Sequence, residues 1–188
     1  MSNHAGSMQS PERLRLHAIA TLVPFFADGS AGDEQNARVA AEGLLNDYNA
    51  ATPKELQLST QIIALGWAAM ACLRTAVAAE NLSVAEKLRL QDTAIALDRS
   101  SQKSTRALAA RRKERTKDPK ALTPENTKWD EGAFQLTINQ ALEKLTDANA
   151  KLAAYMGRLA PPGVQKPKLP ILFAEQMTPF MLSRRARG

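Results

Sequence analysis

The sequence predicts an all-α protein, a helical bundle of about five helices with a long central buried helix and a C-terminal extended tail. Three observations support this fold class. Ala and Leu are abundant while aromatic residues make up 5% of the chain, a balance that favours helices over sheet. The stretch from Thr52 to Glu80 opens with helix-start signals and carries no charge between Ile62 and Leu73. A chain of 188 residues is also long enough to bury a sizeable core.

The N-terminal part predicts two helices. Residues 1–10 are polar and are expected to be disordered, and Ser10-Pro11 marks the start of a helix that runs to Phe26. Its apolar run resembles that of a signal peptide, but the run is short and contains Pro24, so a folded helix is the preferred interpretation. The predicted inner stripe is Leu16, Ile19, Val23 and Phe26. Asp33 is the predicted N-cap of helix two, which places Ala37, Ala41, Leu44 and Tyr48 inward.

The third helix is the predicted centre of the bundle. Thr52 and Glu55 have the spacing of a capping box, and Pro53 occupies the first helical position. A bilayer span needs roughly 20 apolar residues, whereas this run stops at Arg74. We therefore predict a buried core helix and no transmembrane segment. The single cysteine, Cys72, lies in the same run and is expected to pack as a small hydrophobic residue.

Helix four follows after a short turn. Ser83 and Glu86 form a second capping-box pattern, so this helix is predicted to begin at Val84 and to form a hairpin with helix three. A helix-turn-helix motif is the alternative, but helix three is too long for it and the turn has no glycine. The predicted inner stripe of helix four is Leu90, Ala94, Leu97, Ser101, Ser104 and Leu108. The helical core thus spans residues 11–116.

The end of helix four is strongly basic and is predicted to protrude from the core. The net charge is +7 from Arg99 to Lys120 and +4 from Pro161 onward, which leaves −5 for the rest of the chain. A localised positive segment of this kind indicates an anionic partner, and a solvated helix end is the simpler alternative. The candidate nucleic-acid-binding residues are Arg99, Lys103, Arg106, Arg111, Arg112, Lys113 and Arg115.

A Pro-containing linker, 117–128, precedes a long amphipathic helix over residues 129–160. This helix carries a heptad seam typical of a coiled coil, which suits either an internal core or a partner helix. The candidate partner-seam residues are Ile138, Leu145, Leu152, Tyr155 and Leu159. Residues 161–188 form a basic tail with several prolines, predicted either to cross the body as an extended strap or to dock elsewhere.

The residues needed for common catalytic and cofactor sites are missing from the sequence. His4, His17 and Cys72 are too few to close a zinc site, and no EF-hand, Walker A or GxGxxG pattern is present. Cys72 lies in the most apolar stretch, which is a poor setting for a nucleophile. We therefore predict no catalytic, cofactor-binding or metal-binding residues, no cofactor and no enzymatic activity.

Three segments carry a resemblance to known proteins: TPKELQLSTQIIAL, LRLQDTAIALDRS and RALAARRKER. They resemble segments of Ala-rich helical proteins of proteobacteria that have no assigned function. The resemblance implies a bacterial, cytoplasmic setting and carries no activity with it. From the residues themselves we predict a non-enzymatic interaction protein that binds a protein partner or its own copy. The alternative is a nucleic-acid-associated protein that uses the basic helix 99–120.

Overall fold

The computed structural model describes residues 10–27, 33–117 and 128–159, with side chains as far as Gly157. These ranges contain no strand and form five helices: α1 (Pro11–Phe26), α2 (Glu34–Asp47), α3 (Pro53–Ala78), α4 (Val84–Lys117) and α5 (Glu131–Leu159). The predicted all-α bundle is confirmed. The predicted extended tail, 161–188, lies outside these ranges, and so do the predicted disordered start, 1–10, apart from Ser10, and the predicted linker, 117–128, apart from Lys117, which ends α4, and Lys128.

A capping side chain precedes each of these helices. The backbone N–H groups at the helix starts donate to Ser10, Asp33, Thr52, Ser83 and Asp130. The Ser83–Glu86 capping box is complete, because the Glu86 carboxylate also accepts from the Ser83 N–H at 2.9 Å. Asp130 is the cap of α5, so that helix begins at Glu131, two residues later than the sequence predicts. Local capping chemistry therefore accounts for where the helices begin.

Helix α3 contacts each of the other four helices and packs most extensively against α4. Its pairing with α4 is antiparallel: the Ser101 hydroxyl donates to the Ile62 carbonyl at 3.4 Å, and further along α4 Leu108 packs on Leu58. The two helices stay in contact over this length, which is an α-hairpin and not the crossing of a helix-turn-helix motif.

Helix α5 runs parallel to α3 on another of its sides. The Gln57 amide bonds to the backbone of Asp130, and eighteen residues further along both helices the Thr75 hydroxyl donates to the Ala148 carbonyl at 3.0 Å. The residue offset is the same at both contacts, so the helices stay in register. Contacts between α4 and α5 are sparse. Both helices are therefore positioned by α3.

Gln57 binds the first turn of α5 with both ends of its amide. Its Nε2 donates to the Asp130 carbonyl at 2.9 Å, and its Oε1 accepts from the Asp130 N–H at 3.1 Å. Lys54 Nζ also donates to Oε1, at 2.9 Å. Burial lowers the pKa of Lys54, and the Asp130 carboxylate opposes that shift. Gln57 itself is almost fully buried, so these bonds satisfy an amide that has little access to water.

The buried face of α1 is rotated from the predicted stripe. Ile19 and Phe26 are buried as predicted and Val23 is half-buried, but Leu16 is 47% exposed. The core takes the neighbouring stripe Leu14, Ala18, Leu22 and Phe25 instead. Because α1 contacts α2, α3 and α5, the side that meets all three is buried, and a helix with apolar residues over much of its circumference does not reveal that side.

Helix α2 uses small residues to approach α1. Ala37 and Ala41 are buried as predicted, whereas Leu45 takes the place in the core that was expected for Leu44. Tyr48 is half-buried at the end of the helix and packs against Leu58, Ile62 and Leu108. The chain then turns at Asn49, whose φ of 45° lies in the left-handed region that asparagine tolerates.

The C-terminal half of α3 is less buried than its composition predicts. Met70 and Leu73 are each 40% exposed and Val77 is 79% exposed, on a side that no other described helix covers. Helix α3 is long and apolar enough to cross a membrane by length and composition, a test that the core helices of soluble proteins also pass. Its most apolar window is 78% buried by the surrounding helices.

Replacing Gln57 by Ala is expected to lower the free energy of unfolding by about 2 kcal/mol more than replacing Gln61 by Ala. Both side chains are buried on α3 and equal in size, but among the described residues Gln61 has no hydrogen-bond partner. The difference therefore measures the hydrogen bonds that the Gln57 amide forms with Asp130 and Lys54. Urea denaturation of the two variants measures it, and equal losses of stability would contradict the stabilising role of the Gln57 hydrogen bonds.

Candidate interaction surface

The inner face of α4 follows the predicted stripe. Leu90, Ala94, Leu97 and Leu108 are buried, and Ser101 and Ser104 are half-buried against α3. The same spacing continues beyond Leu108 and places Arg111, Arg112 and Arg115 on the inner side, where all three are half-buried. The basic end of α4 therefore packs on the bundle along this side, and the prediction that it protrudes from the core is wrong.

Two of these three arginines bind the start of α3 and the turn before it. The Arg115 Nε lies 3.2 Å from the Glu55 carboxylate, and Arg112 Nη2 donates to the Tyr48 carbonyl. Arg111 contributes positive potential at Lys54, where it adds to the lowering of the lysine pKa. Arg112 and Arg115 therefore have a packing role. Together with Arg111 they are half-buried and do not belong to the exposed basic residues of α4.

Glu55 is the counter-charge that holds the end of α4. Its side chain is 2% exposed, and its carboxylate accepts from the Ala51 N–H at 2.8 Å in addition to pairing with Arg115. Glu55 lies in the first turn of α3 and Arg115 in the last turn of the antiparallel α4. Each charge therefore also stabilises its own helix terminus through the helix dipole.

The side of α4 opposite its contact with α3 carries the remaining predicted basic residues. Arg99, Lys103, Arg106 and Lys113 are exposed and lie at helical spacing on one side, over about 20 Å of the helix. None of these four side chains forms an ion pair with another described residue. These cations are solvated and available to an anionic group.

Apolar residues occupy the N-terminal half of the same outer face. Val84 is 74% exposed, Leu88 54% and Ile95 48%, with the carboxylate of Asp92 between the last two. We call the residues from Val84 to Lys113 on this side of α4 the outer face. It begins apolar, continues basic, and is covered by no other described helix.

The seam of α5 is used inside the chain. Ile138, Leu145, Leu152 and Tyr155 are between 4% and 9% exposed, and the first two belong to the main core with α3. Leu159 lies at the end of the helix, and its side chain falls outside the described ones. Because these four side chains already pack against their own chain, the structure does not leave them free for a partner, and their assignment as a partner seam is corrected.

A cleft of about 200 Å³ is lined by residues of α3, α4 and α5. Its lining includes Cys72, Arg89, Lys144 and Lys151, and the ammonium of Lys151 pairs with Asp147 at 2.8 Å. Burial raises the pKa of the Cys72 thiol, and the Asp147 carboxylate adds to the rise. The thiol is therefore protonated at neutral pH, which is the unreactive form. Within the described ranges, no three His, Cys, Asp or Glu residues are grouped to hold a metal ion.

Comparison with known proteins adds no functional assignment, since no family model, curated protein or solved structure matches the chain.

The sequence-based prediction missed the division of the basic cluster between two faces. The signal was present, because extending the spacing of Leu90, Leu97 and Leu108 reaches Arg115 directly. What the sequence did not show is the buried carboxylate opposite it. Glu55 has the spacing of an ordinary capping residue, and its second partner comes from sixty residues further along the chain.

Replacing Arg115 by Met is expected to lower the free energy of unfolding by about 2 kcal/mol, because the buried Glu55 carboxylate is left without its counter-charge. The figure is below that of a fully buried pair since Arg115 is one-third exposed. Adding Glu55→Gln should recover part of the loss. The matched control is Arg106→Met on the outer face, and thermal or urea unfolding that shows the same loss for both arginines would contradict the prediction.

Proposed function

We propose that this protein is a non-enzymatic helical interaction protein, and that the outer face of α4 is the surface with which it binds a protein partner. The observation that carries the proposal is the uncovered line of apolar and then basic side chains along one side of α4. Helix α3 and its neighbours contact α4 from the inner side, which leaves a long helix face for recognition.

The chemistry of this face suits an amphipathic helix. Leu88 and Ile95 are spaced to receive apolar side chains from a second helix that lies along α4. Beyond them, Arg99, Lys103 and Arg106 favour acidic residues on the same partner. Apolar contacts supply most of the affinity of such an interface, while the charges select the partner and its orientation. We place this activity in a bacterial cytoplasm.

Nucleic-acid association is the second candidate, favoured by the four exposed cations from Arg99 to Lys113. They follow one helix face without an acidic residue between them on that face, a pattern that can track a phosphate backbone. No aromatic residue interleaves them for base stacking. Such binding would be independent of sequence and strongly dependent on salt. We rank it second because it leaves the apolar half of the outer face without a role.

The protein-partner proposal is tested by site-specific photocrosslinking in cells that express the full chain. A photoreactive residue in place of Ala96, on the outer face, is expected to form discrete protein adducts. The same residue in place of Ala40, which is also exposed and lies on α2, is the control and should form few. Adding Ile95→Glu to the Ala96 variant should reduce the adducts, because a charge then replaces the apolar contact. Equal adduct yields at both positions would overturn the proposal.

The nucleic-acid candidate makes a quantitative prediction about salt. If the basic half of the outer face binds duplex DNA, replacing Lys103, Arg106 and Lys113 by Ala should reduce the slope of log affinity against log salt by about 3. Lys128→Ala, which removes an exposed cation elsewhere, is the control. Fluorescence anisotropy with a short random duplex measures both. If the wild-type chain leaves the anisotropy unchanged even at low salt, this candidate is excluded.

A further inference from the structure

We propose that the partner of the outer face is a second copy of this chain, bound through antiparallel pairing of the two α4 helices. The inference rests on the proposed function, since it names the partner of the same surface. Its starting point is the order of four residues at spacings of four, three and four: Leu88, Asp92, Ile95 and Arg99. These spacings place all four side chains on one side of the helix.

Asp92 and Arg99 have opposite charges and lie about 10 Å apart along the helix axis. Both are exposed, and neither forms an ion pair with a described residue of its own chain. Two turns of helix separate them, so both side chains point outward from the same side of α4 and do not pair with each other. The outer face therefore presents one unpaired negative group, Asp92, followed along the helix by Arg99, the first of its four unpaired positive groups.

A twofold axis between Ile95 and Ala96 satisfies both charges at once. In an antiparallel pair with that axis, Asp92 of each copy lies opposite Arg99 of the other, so a single arrangement forms two ion pairs. Such a self-complementary contact is what a twofold dimer requires. Ile95 lies beside the axis, and its 48% exposed side chain packs against the same residue and Ala96 of the other copy.

The flanking residues agree with this register. Lys103 of one copy lies opposite Leu88 of the other, where its methylene groups cover the 54% exposed leucine while the ammonium stays in water. A parallel pair would instead place Arg99, Lys103 and Arg106 beside their own copies, which like-charge repulsion disfavours. The antiparallel arrangement keeps the two basic halves at opposite ends of the dimer. Charge complementarity thus selects both the second copy as occupant and its direction.

The experiment is sedimentation equilibrium of the full chain over a concentration series, at physiological salt and without nucleic acid. One helix pair is a small interface, so we expect a weak dimer that dissociates on dilution. Asp92→Arg or Arg99→Asp alone places like charges at both contacts and should raise the dissociation constant at least about tenfold. The double exchange, Asp92→Arg with Arg99→Asp, recreates both ion pairs with the order reversed and should restore dimerisation.

Because both side chains are exposed, the variants are expected to fold, and circular dichroism of each confirms it. The proposal is overturned if the wild-type chain is monomeric at all concentrations, if the single exchanges leave the dimer unchanged, or if the double exchange fails to restore it. Mass spectrometry of the Ala96 photoadducts separates this failure from that of the proposed function. Adducts with other proteins alone would contradict self-association but support the proposed interaction surface, whereas adducts between copies support both proposals.

Discussion

The architecture depends on satisfying the polar side chains that α3 carries into the core. A helix covered on most of its sides is stabilised when these groups pair with its own backbone or with its neighbours, and among the described residues this holds for all of its buried polar side chains except Gln61. The hydroxyls of Ser59 and Thr60 donate to carbonyls of α3 itself, so they need no hydrogen-bond partner from another helix. Glu55, Gln57 and Thr75 differ from them, because each also pairs with a distant part of the chain.

These longer-range bonds set the positions of the neighbouring helices. Apolar packing alone lets helices slide, because Ala and Leu surfaces fit in several registers. The ion pair between Glu55 and Arg115 defines where α4 ends against α3, and the two hydrogen bonds between the Gln57 amide and the Asp130 backbone define where α5 begins. Hydrophobic burial supplies most of the stability of such a bundle, and the buried polar groups make one arrangement preferable to its neighbours.

Most of the fold could be predicted from the sequence because its signals are local. The caps at Asp33, Thr52 and Ser83, and the seven-residue repeat in α5, require information from a few adjacent residues. The errors concern which side of a helix is buried. Leu16 and Met70 lie on helices with apolar residues nearly all round, so no periodicity marks the inner side. The identity of the neighbouring helix decides that, and it is a tertiary property.

The candidate surface was only partly predicted, again because tertiary packing decides which side of a helix is exposed. Exposure of Arg99, Lys103, Arg106 and Lys113 follows from the phase of the inner stripe, which the sequence shows clearly. The apolar half of the outer face was not predicted, since Leu88 and Ile95 are the residue types normally found in a core. That they are exposed is visible once α4 is known to contact α3 on its opposite side.

The ends of α4 and α5 that the segment 118–127 joins lie at the same end of the bundle. Arg115 is bound at Glu55 and Asp130 at Gln57, two residues further along α3, so both ends lie beside the first turns of α3. A fluorophore tag or a purification sequence inserted between residues 118 and 127 is therefore attached to the bundle at this end. A reporter placed there lies at the opposite end of α4 from the apolar half of the outer face, so the chain can be followed in cells with that half left bare.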